Sequence, residues 1–308
     1  MKSFIKSVFQ LLLSATLVAT ASTANAEIYT LGDSMSDAGS LGITYTDPSS
    51  ISPYVPGKIW IQYLTQSTPA FCGNQNQCPW NPNTFYYGAG NNYAVGGAGV
   101  MFDSTDARTP NTYTSLGSQV SALINSKKLV AGDSVTVIMG ANDILAAVSQ
   151  SKINPTTVVT QAASAYIQFI SSLASQSTRP RIYAFTLPDI GQTPLGSSMQ
   201  DGGKLLTQLT SIYNNAIANG LAKTSGVTMV NGGAIYGQLI TQQKLLTSPS
   251  YCLKVIDVTH ACGSSANPVF SSQNNLLFAD PLHASRVAQQ MIASWLKNNG
   301  LIIKQNGS

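Results

Sequence analysis

Five short apolar runs, each closed by a turn rich in Gly, Pro or Asn and separated by stretches of helical periodicity, constrain the fold of this chain most. The runs are Ile28–Leu31, Asn92–Val95, Ser134–Met139, Arg181–Leu187 and Val227–Val230. They end in Gly32-Asp33, Gly96-Gly97, Gly140-Ala141-Asn142-Asp143, Pro188 and Asn231-Gly232-Gly233. Apolar runs of this kind suit strands covered on both faces. Between them, Asn154-Pro155 forms an N-cap with proline at the first helical position. Val158, Val159, Ala162, Tyr166, Ile170 and Leu173 follow as an apolar stripe at helical spacing, and Leu205, Leu209, Ile212, Ala216 and Leu221 repeat it. A last helix over Ala284–Lys297 stops at Asn298-Asn299-Gly300. Strands alternating with helices predict a three-layer α/β/α sandwich: a central, mostly parallel sheet of roughly five strands with helices on both faces.

The first residues carry Lys2 and Lys6, an apolar stretch from Phe9 to Ala21, and Ala24-Asn25-Ala26. A basic start, a short apolar core and an A-x-A ending predict a secretory signal at 1–26, removed after Ala26. The core is shorter than the ~20 residues that span a bilayer. The mature chain, 27–308, is expected to be one domain without an integral membrane segment, and a monomer. Removing Lys2 and Lys6 takes the formal charge from +4 to +2. With only 9% charged residues the surface must be Ser, Thr, Asn and Gln, which excludes the basic footprint that nucleic acid requires. The stretch from about 40 to 91, rich in Pro, Asn, Gln, Tyr and Trp, reads as a loop-rich insertion over the site. The four cysteines form two local pairs, Cys72-Cys78 and Cys252-Cys262. In an exported chain an even count reads as disulfides; four cysteines allow three connectivities, of which local pairing is the simplest. Two histidines and no C-x-x-C leave a metal site without ligands, so no metal or other cofactor is expected.

The first strand runs into Leu31-Gly32-Asp33-Ser34-Met35-Ser36-Asp37, which places Ser34 at the edge of the sheet, where open α/β folds carry their chemistry. A serine becomes nucleophilic only beside a base. Only His260 and His283 exist. His260 reads as an ordinary packed or solvated ring. His283 shares a tight turn, Asp280-Pro281-Leu282-His283, with a carboxylate three positions away that can orient the imidazole. The acyl oxygen of a tetrahedral intermediate needs fixed donors, and three stand at strand ends: the amides of Ser34 and Gly97 and the side chain of Asn142. Asp33, Asp37 and Asp143 read as structural, Asp143 as a brace of its own loop.

These segments together resemble the GDSL-type serine esterases of the SGNH hydrolase superfamily. Gly32-Asp33-Ser34-Met35-Ser36-Asp37 is similar to the first block, Asn92-Tyr93-Ala94-Val95-Gly96-Gly97-Ala98 to the second, Gly140-Ala141-Asn142-Asp143 to the third and Asp280-Pro281-Leu282-His283 to the fifth. The resemblance implies a flavodoxin-like SGNH fold, Ser34 as nucleophile, His283 and Asp280 as base and acid, and Ser34, Gly97 and Asn142 as the oxyanion hole. Met35 stands where Leu is usual. Ser40 stands where many relatives have Asn, which leaves a hydrogen bond near the first helix open.

Export, local disulfides and an aromatic, uncharged insertion resemble the bacterial secreted branch of lysophospholipases, phospholipases A and glycerophospholipid:cholesterol acyltransferases. The expected substrate is a lipid or lysophospholipid, met at a membrane surface, with acyl transfer to a sterol as a side reaction. Tyr45, Tyr54, Trp60, Tyr63, Phe71, Trp80, Phe85, Tyr86 and Tyr87 would line an acyl channel, rest at a lipid interface or simply pack the insertion. Two other readings stand beside this one: a carbohydrate or aryl esterase removing short acyl groups, and a non-catalytic exported glycan-binding module. The Cys72-Cys78 loop raises the further expectation that nicking or thiol exchange controls access to the site.

Overall fold

A computed structural model describes residues 26–40, 43–51, 54–55, 57–65, 91–104, 114–149, 153–257, 260–271 and 273–300. The signal segment up to residue 25, the Cys72-Cys78 pair and Phe71, Trp80, Phe85, Tyr86 and Tyr87 lie outside them. In chain order the elements are β1 (Ile28–Gly32), β2 (Ser50–Ile51), β3 (Tyr54–Val55), α1 (Trp60–Leu64), α2 (Leu116–Asn125), β4 (Ser134–Ile138), α3 (Ala141–Ser149), α4 (Pro155–Ala174), β5 (Arg181–Phe185), α5 (Pro194–Ser197), α6 (Lys204–Leu221), β6 (Val227–Val230), α7 (Gly232–Thr241) and α8 (Arg286–Asn298). A 3₁₀ turn, Ile190–Gln192, precedes α5.

Strands β1, β4, β5 and β6 form a parallel sheet in that order, in a register that sets Gly32 beside Ile138 and Phe185 beside Val230. Every residue of β1 and β4 is buried, as continuous apolar strands require. Helices α2, α3, α4 and α6 contact one another, and α1, α7 and α8 form a second group, so the sheet lies between two helical layers. Helix α4 starts as its sequence dictates: the Asn154 side chain accepts from Thr156 N–H, and Pro155 follows. The stripe Val159, Ala162, Tyr166, Ile170 and Leu173 is fully buried.

The expected fifth strand, Asn92–Val95, is reduced to one bridge residue, Asn92 beside Thr30. It still runs along β1 through Thr30 N–H to Asn91 O (2.8 Å), Tyr93 N–H to Thr30 O (2.7 Å) and Val95 N–H to Gly32 O (3.1 Å). Asn92 Oδ1 accepts from Ala94 N–H at 2.9 Å, an Asx turn on the edge of the segment that faces away from β1. With this segment at the edge, the order in space is 2-1-3-4-5, and the reversal of strand order falls at β1, just before Ser34. The run Arg181–Leu187 also ends early, at Phe185, because the Asn214 side chain takes over both backbone groups of Leu187 (2.8 and 2.9 Å). Helices α3 and α7 start directly on the turns that the sequence reads as strand-to-loop boundaries.

A smaller apolar cluster joins Ile43 and Tyr45 of the insertion to Tyr251, Cys252, Ile256, Ala261, Cys262, Leu276 and Ala279. The Cys252-Cys262 disulfide is formed there. Among the described residues no helix is long and apolar enough to cross a membrane.

Candidate active site

The turn after β1 is held from four directions. A Cβ on Gly32 would lie 2.4 Å from Ile138 O, so only glycine lets β1 and β4 close at this level. Gln119 of α2 substitutes for a neighbouring strand: its Oε1 accepts from Gly32 N–H (2.8 Å), and its Nε2 donates to Gly32 O (2.8 Å) and Thr114 O (2.7 Å). Asp33 Oδ1 accepts from Met35 N–H at 3.0 Å. Trp60 Nε1 donates to Met35 O at 3.0 Å, so a residue of the insertion fixes the peptide after Ser34.

Across the chain, 249 residues away, His283 Nε2 lies 2.9 Å from Ser34 Oγ. Its Nδ1 lies 2.7 Å from Asp280 Oδ2. With Asp280 taking the Nδ1 hydrogen, Nε2 is left as the acceptor for the serine hydroxyl. Asp280 is fully buried and does not move freely: Oδ1 accepts from Leu282 N–H and His283 N–H (both 2.6 Å), and Oδ2 accepts from Ile256 N–H (2.5 Å). Ile256 belongs to the Cys252-Cys262 loop, and Cys252 N–H donates to Ala279 O at 2.7 Å. The Tyr45 ring stands 5.1 Å from that of His283, between it and Gly96. A Cβ on Gly96 would lie 1.8 Å from Tyr45 Oη, which explains this glycine. His260 instead pairs with Asp257 on the half-exposed part of the disulfide loop.

The three expected oxyanion donors are placed unequally. Ser34 N–H has no acceptor among the described residues. Asn142, in the first turn of α3, gives one hydrogen of its amide to Ala98 O (2.8 Å) and keeps the other. Gly96 N–H is taken by Asp37 Oδ2 at 2.8 Å, whereas Gly97 N–H has no acceptor among the described residues. Gly97 is exposed, in a left-handed conformation (φ +77°), between Val95 bonded to Gly32 and Ala98 bonded to Asn142. Ser34, Asn142 and His283 line one cavity; Gly97 is not part of its wall.

The three structural aspartates are buried. Asp37 accepts from Gly39, Ser40 and Gly96 N–H and from the Ser40 hydroxyl (2.5 Å), so Ser40 supplies the bond left open by the missing Asn. Besides its own backbone in the first turn of α3, Asp143 braces a neighbouring loop through Val100 and Met101 N–H (2.8 and 3.3 Å). Burial pushes Asp143 up to about 6. Burial likewise pushes Asp33 up to about 7, against the pull of Met35 N–H and His283. Asp33 Oδ2 has no hydrogen-bond partner.

The cavity, about 60 Å³, runs from Ser34 between the sheet ends and the α1, α7 and α8 layer. Its wall is mainly apolar: Ile138, Phe185, Leu187, Ile235, Phe278 and Ile292, with Tyr45 and Trp60 from the insertion. Of the described aromatic side chains of the insertion, these two line the cavity, and Tyr63 packs half-buried against the core. A nucleophile, an oriented base and two buried or half-buried donors around one apolar pocket can carry out acyl transfer. No group of three or more His, Cys, Asp or Glu among the described residues is arranged to hold a metal ion. Gln119 and Gln289 are the contributors that the sequence did not single out; each is a polar residue on an otherwise apolar helix face, which was the available signal.

A family model described as GDSL-like Lipase/Acylhydrolase matches residues 28–296. No curated protein matches the chain. Among solved structures it is similar to a member of the lipolytic protein G-D-S-L family from Veillonella parvula, with 13% identity over 90% of this chain and 100% of that one and a TM-score of 0.47. It is similar also to the aryl esterase of M. Smegmatis (12% identity, 90% and 98% covered, TM-score 0.47). A phospholipase A1 from Streptomyces albidoflavus matches with 15% identity, 90% and 99% covered and a TM-score of 0.47.

Proposed function

Because the chain belongs to the GDSL-like lipase/acylhydrolase family, and is thus a hydrolase of the esterase and lipase class, we propose that it is an exported lipid ester hydrolase, foremost a lysophospholipase, working through Ser34, His283 and Asp280. The observation that supports this is the continuous line from Asp280 through His283 to Ser34 Oγ, at 2.7 and 2.9 Å, ending on an apolar cavity.

In the proposed reaction Ser34 Oγ attacks the acyl carbonyl carbon while its proton passes to His283 Nε2. Ser34 N–H, the spare Asn142 hydrogen and Gly97 N–H would stabilise the oxyanion. The His283 proton then goes to the leaving alcohol, and the acyl group stays on Ser34. Water, or a sterol hydroxyl, gives a proton to His283 and attacks the acyl-enzyme; His283 then returns the proton to Ser34 Oγ as the acid or the new ester leaves. Asp280 keeps the ring in place throughout. The apolar wall favours acyl chains over sugars, and the Cys252-Cys262 disulfide suits an oxidising compartment.

The test is hydrolysis of lysophosphatidylcholine and of p-nitrophenyl esters of increasing chain length, with and without cholesterol. Wild-type enzyme should be labelled by a fluorophosphonate and prefer long chains, and Ser34→Ala and His283→Gln should lose about 10⁴- to 10⁶-fold in kcat. Preference for acetate would replace the lipid reading by that of a short-acyl esterase. Unchanged turnover in both variants would remove the catalytic assignment.

A further inference from the structure

The cavity wall carries an amide of which the fold uses only one end. Gln289 lies on α8, is 3% exposed, and forms part of the cavity wall. Its orientation is settled by its neighbour. Trp60 N–H, the first amide of α1, needs an acceptor, and Gln289 Oε1 supplies it at 2.9 Å. The amide cannot be turned round without setting two donors against each other. Its Nε2 therefore faces away from Trp60, and it has no acceptor among the described residues. Asp189 and Thr193, also on the wall, are already engaged: Asp189 accepts from Gly191 N–H and from the Thr207 hydroxyl of α6, and Thr193 donates to Ile190 O.

The position of this donor follows from the helix. The cap of α8 is Ser285, two residues after His283, and the wall residues on the helix itself are Gln289 and Ile292. At 1.5 Å per residue Gln289 stands about 6 Å along the axis beyond Ser285. Gln289 and Ile292 share the cavity wall with Ser34, so an acyl group on Ser34 that fills the cavity is brought against the amide. Buried donors in native proteins are nearly always satisfied. Here a plain alkyl chain that covers the amide leaves it unsatisfied, a short chain leaves room for water, and a chain with an oxygen at the right depth satisfies it directly.

Resting on the acyl-hydrolase reading of the site, we infer that Gln289 is a specificity-determining residue whose Nε2 donates a hydrogen bond to an oxygen partway along the acyl chain. The preferred acyl groups are oxygenated ones, with a carbonyl or hydroxyl several carbons from the ester. A pocket that hydrogen-bonds its substrate rejects the analogue lacking the partner, since the protein group is then stranded.

The experiment compares p-nitrophenyl octanoate with its isomers carrying a keto group in turn on carbons four to seven, in wild type and in Gln289→Met. Wild type should show one keto position whose kcat/KM exceeds that of the plain ester by about 2- to 13-fold, the factor for a net hydrogen bond of roughly 0.5–1.5 kcal/mol. Gln289→Met should flatten the profile, with the keto esters falling towards the plain one. These are ratios within one enzyme sample, so a fall in the folded fraction from losing the Trp60 contact does not alter them. A flat wild-type profile overturns the inference whether or not the variant folds, and so does a maximum that survives in Gln289→Met. In both cases the esters are still hydrolysed and the esterase reading stands. Failure of the wild type to hydrolyse any of them overturns that reading, and the inference with it.

Discussion

Replacing Gln119 by methionine tests how the turn that carries Ser34 is held. The side chain is fully buried, and its three bonds, at 2.8, 2.8 and 2.7 Å, all terminate on backbone at or near the Ser34 turn. Methionine keeps the length and the flexibility of the stem, so little cavity is created. Gly32 O would retain Val95 N–H at 3.1 Å. Gly32 N–H and Thr114 O would lose the partners described here. At roughly 1–3 kcal/mol for each stranded buried group the loss should be about 2–6 kcal/mol. That is a large part of the 5–15 kcal/mol typical of a folded domain. At about 2–4 °C per kcal/mol it should lower Tm by roughly 5–20 °C. Differential scanning calorimetry gives the shift, and the labelling rate of Ser34 by a fluorophosphonate, per folded molecule, should fall with it. Gln119→Glu keeps the acceptor for Gly32 N–H but sets a carboxylate oxygen against Gly32 O and Thr114 O, and should be at least as unstable as Gln119→Met near neutral pH. A Tm within about 2 °C of wild type for Gln119→Met would mean that the turn does not depend on this side chain.

Gly96→Ala should cut kcat by at least about tenfold, because its Cβ would meet the Tyr45 ring that stands against His283; pairing it with Tyr45→Ala should recover part of the loss, and strict additivity of the two would argue against the contact. Asp33 gives a dependence on pH. Its folded pKa, about 7, lies above its unfolded value of 3.8, so its contribution to stability is fully present below about pH 4 and lost as the pH rises through 7, up to roughly 4 kcal/mol. Asp33→Asn keeps an acceptor for Met35 N–H and should flatten the fall in Tm between pH 5 and pH 8; parallel slopes in both proteins would refute the assignment.

The residues that carry a local signal were legible before the structure. Asn154-Pro155 caps α4 as read, the stripe from Val159 to Leu173 is buried, and Ser34, Asp280 and His283 meet in the expected order. What escaped depends on tertiary contacts. Nothing in the composition of Asn92–Val95 shows that the Asn92 side chain will claim Ala94 N–H and that the segment will keep only one bridge residue. Gln119 and Asn214 each pair with both backbone groups of a residue at the sheet end, Gly32 and Leu187, and a single amide in a helical stripe does not announce such a partner. Asp143 also acts on residues 100–101, more than forty positions before it, a partner that its own turn does not announce.

The separation of 249 residues between Ser34 and His283 has a consequence for the birth of the molecule. On the ribosome Ser34 is made 249 positions before His283. The two can meet only once the stretch leading into α8 settles against the first strand, so every element made between them must find its place without that contact.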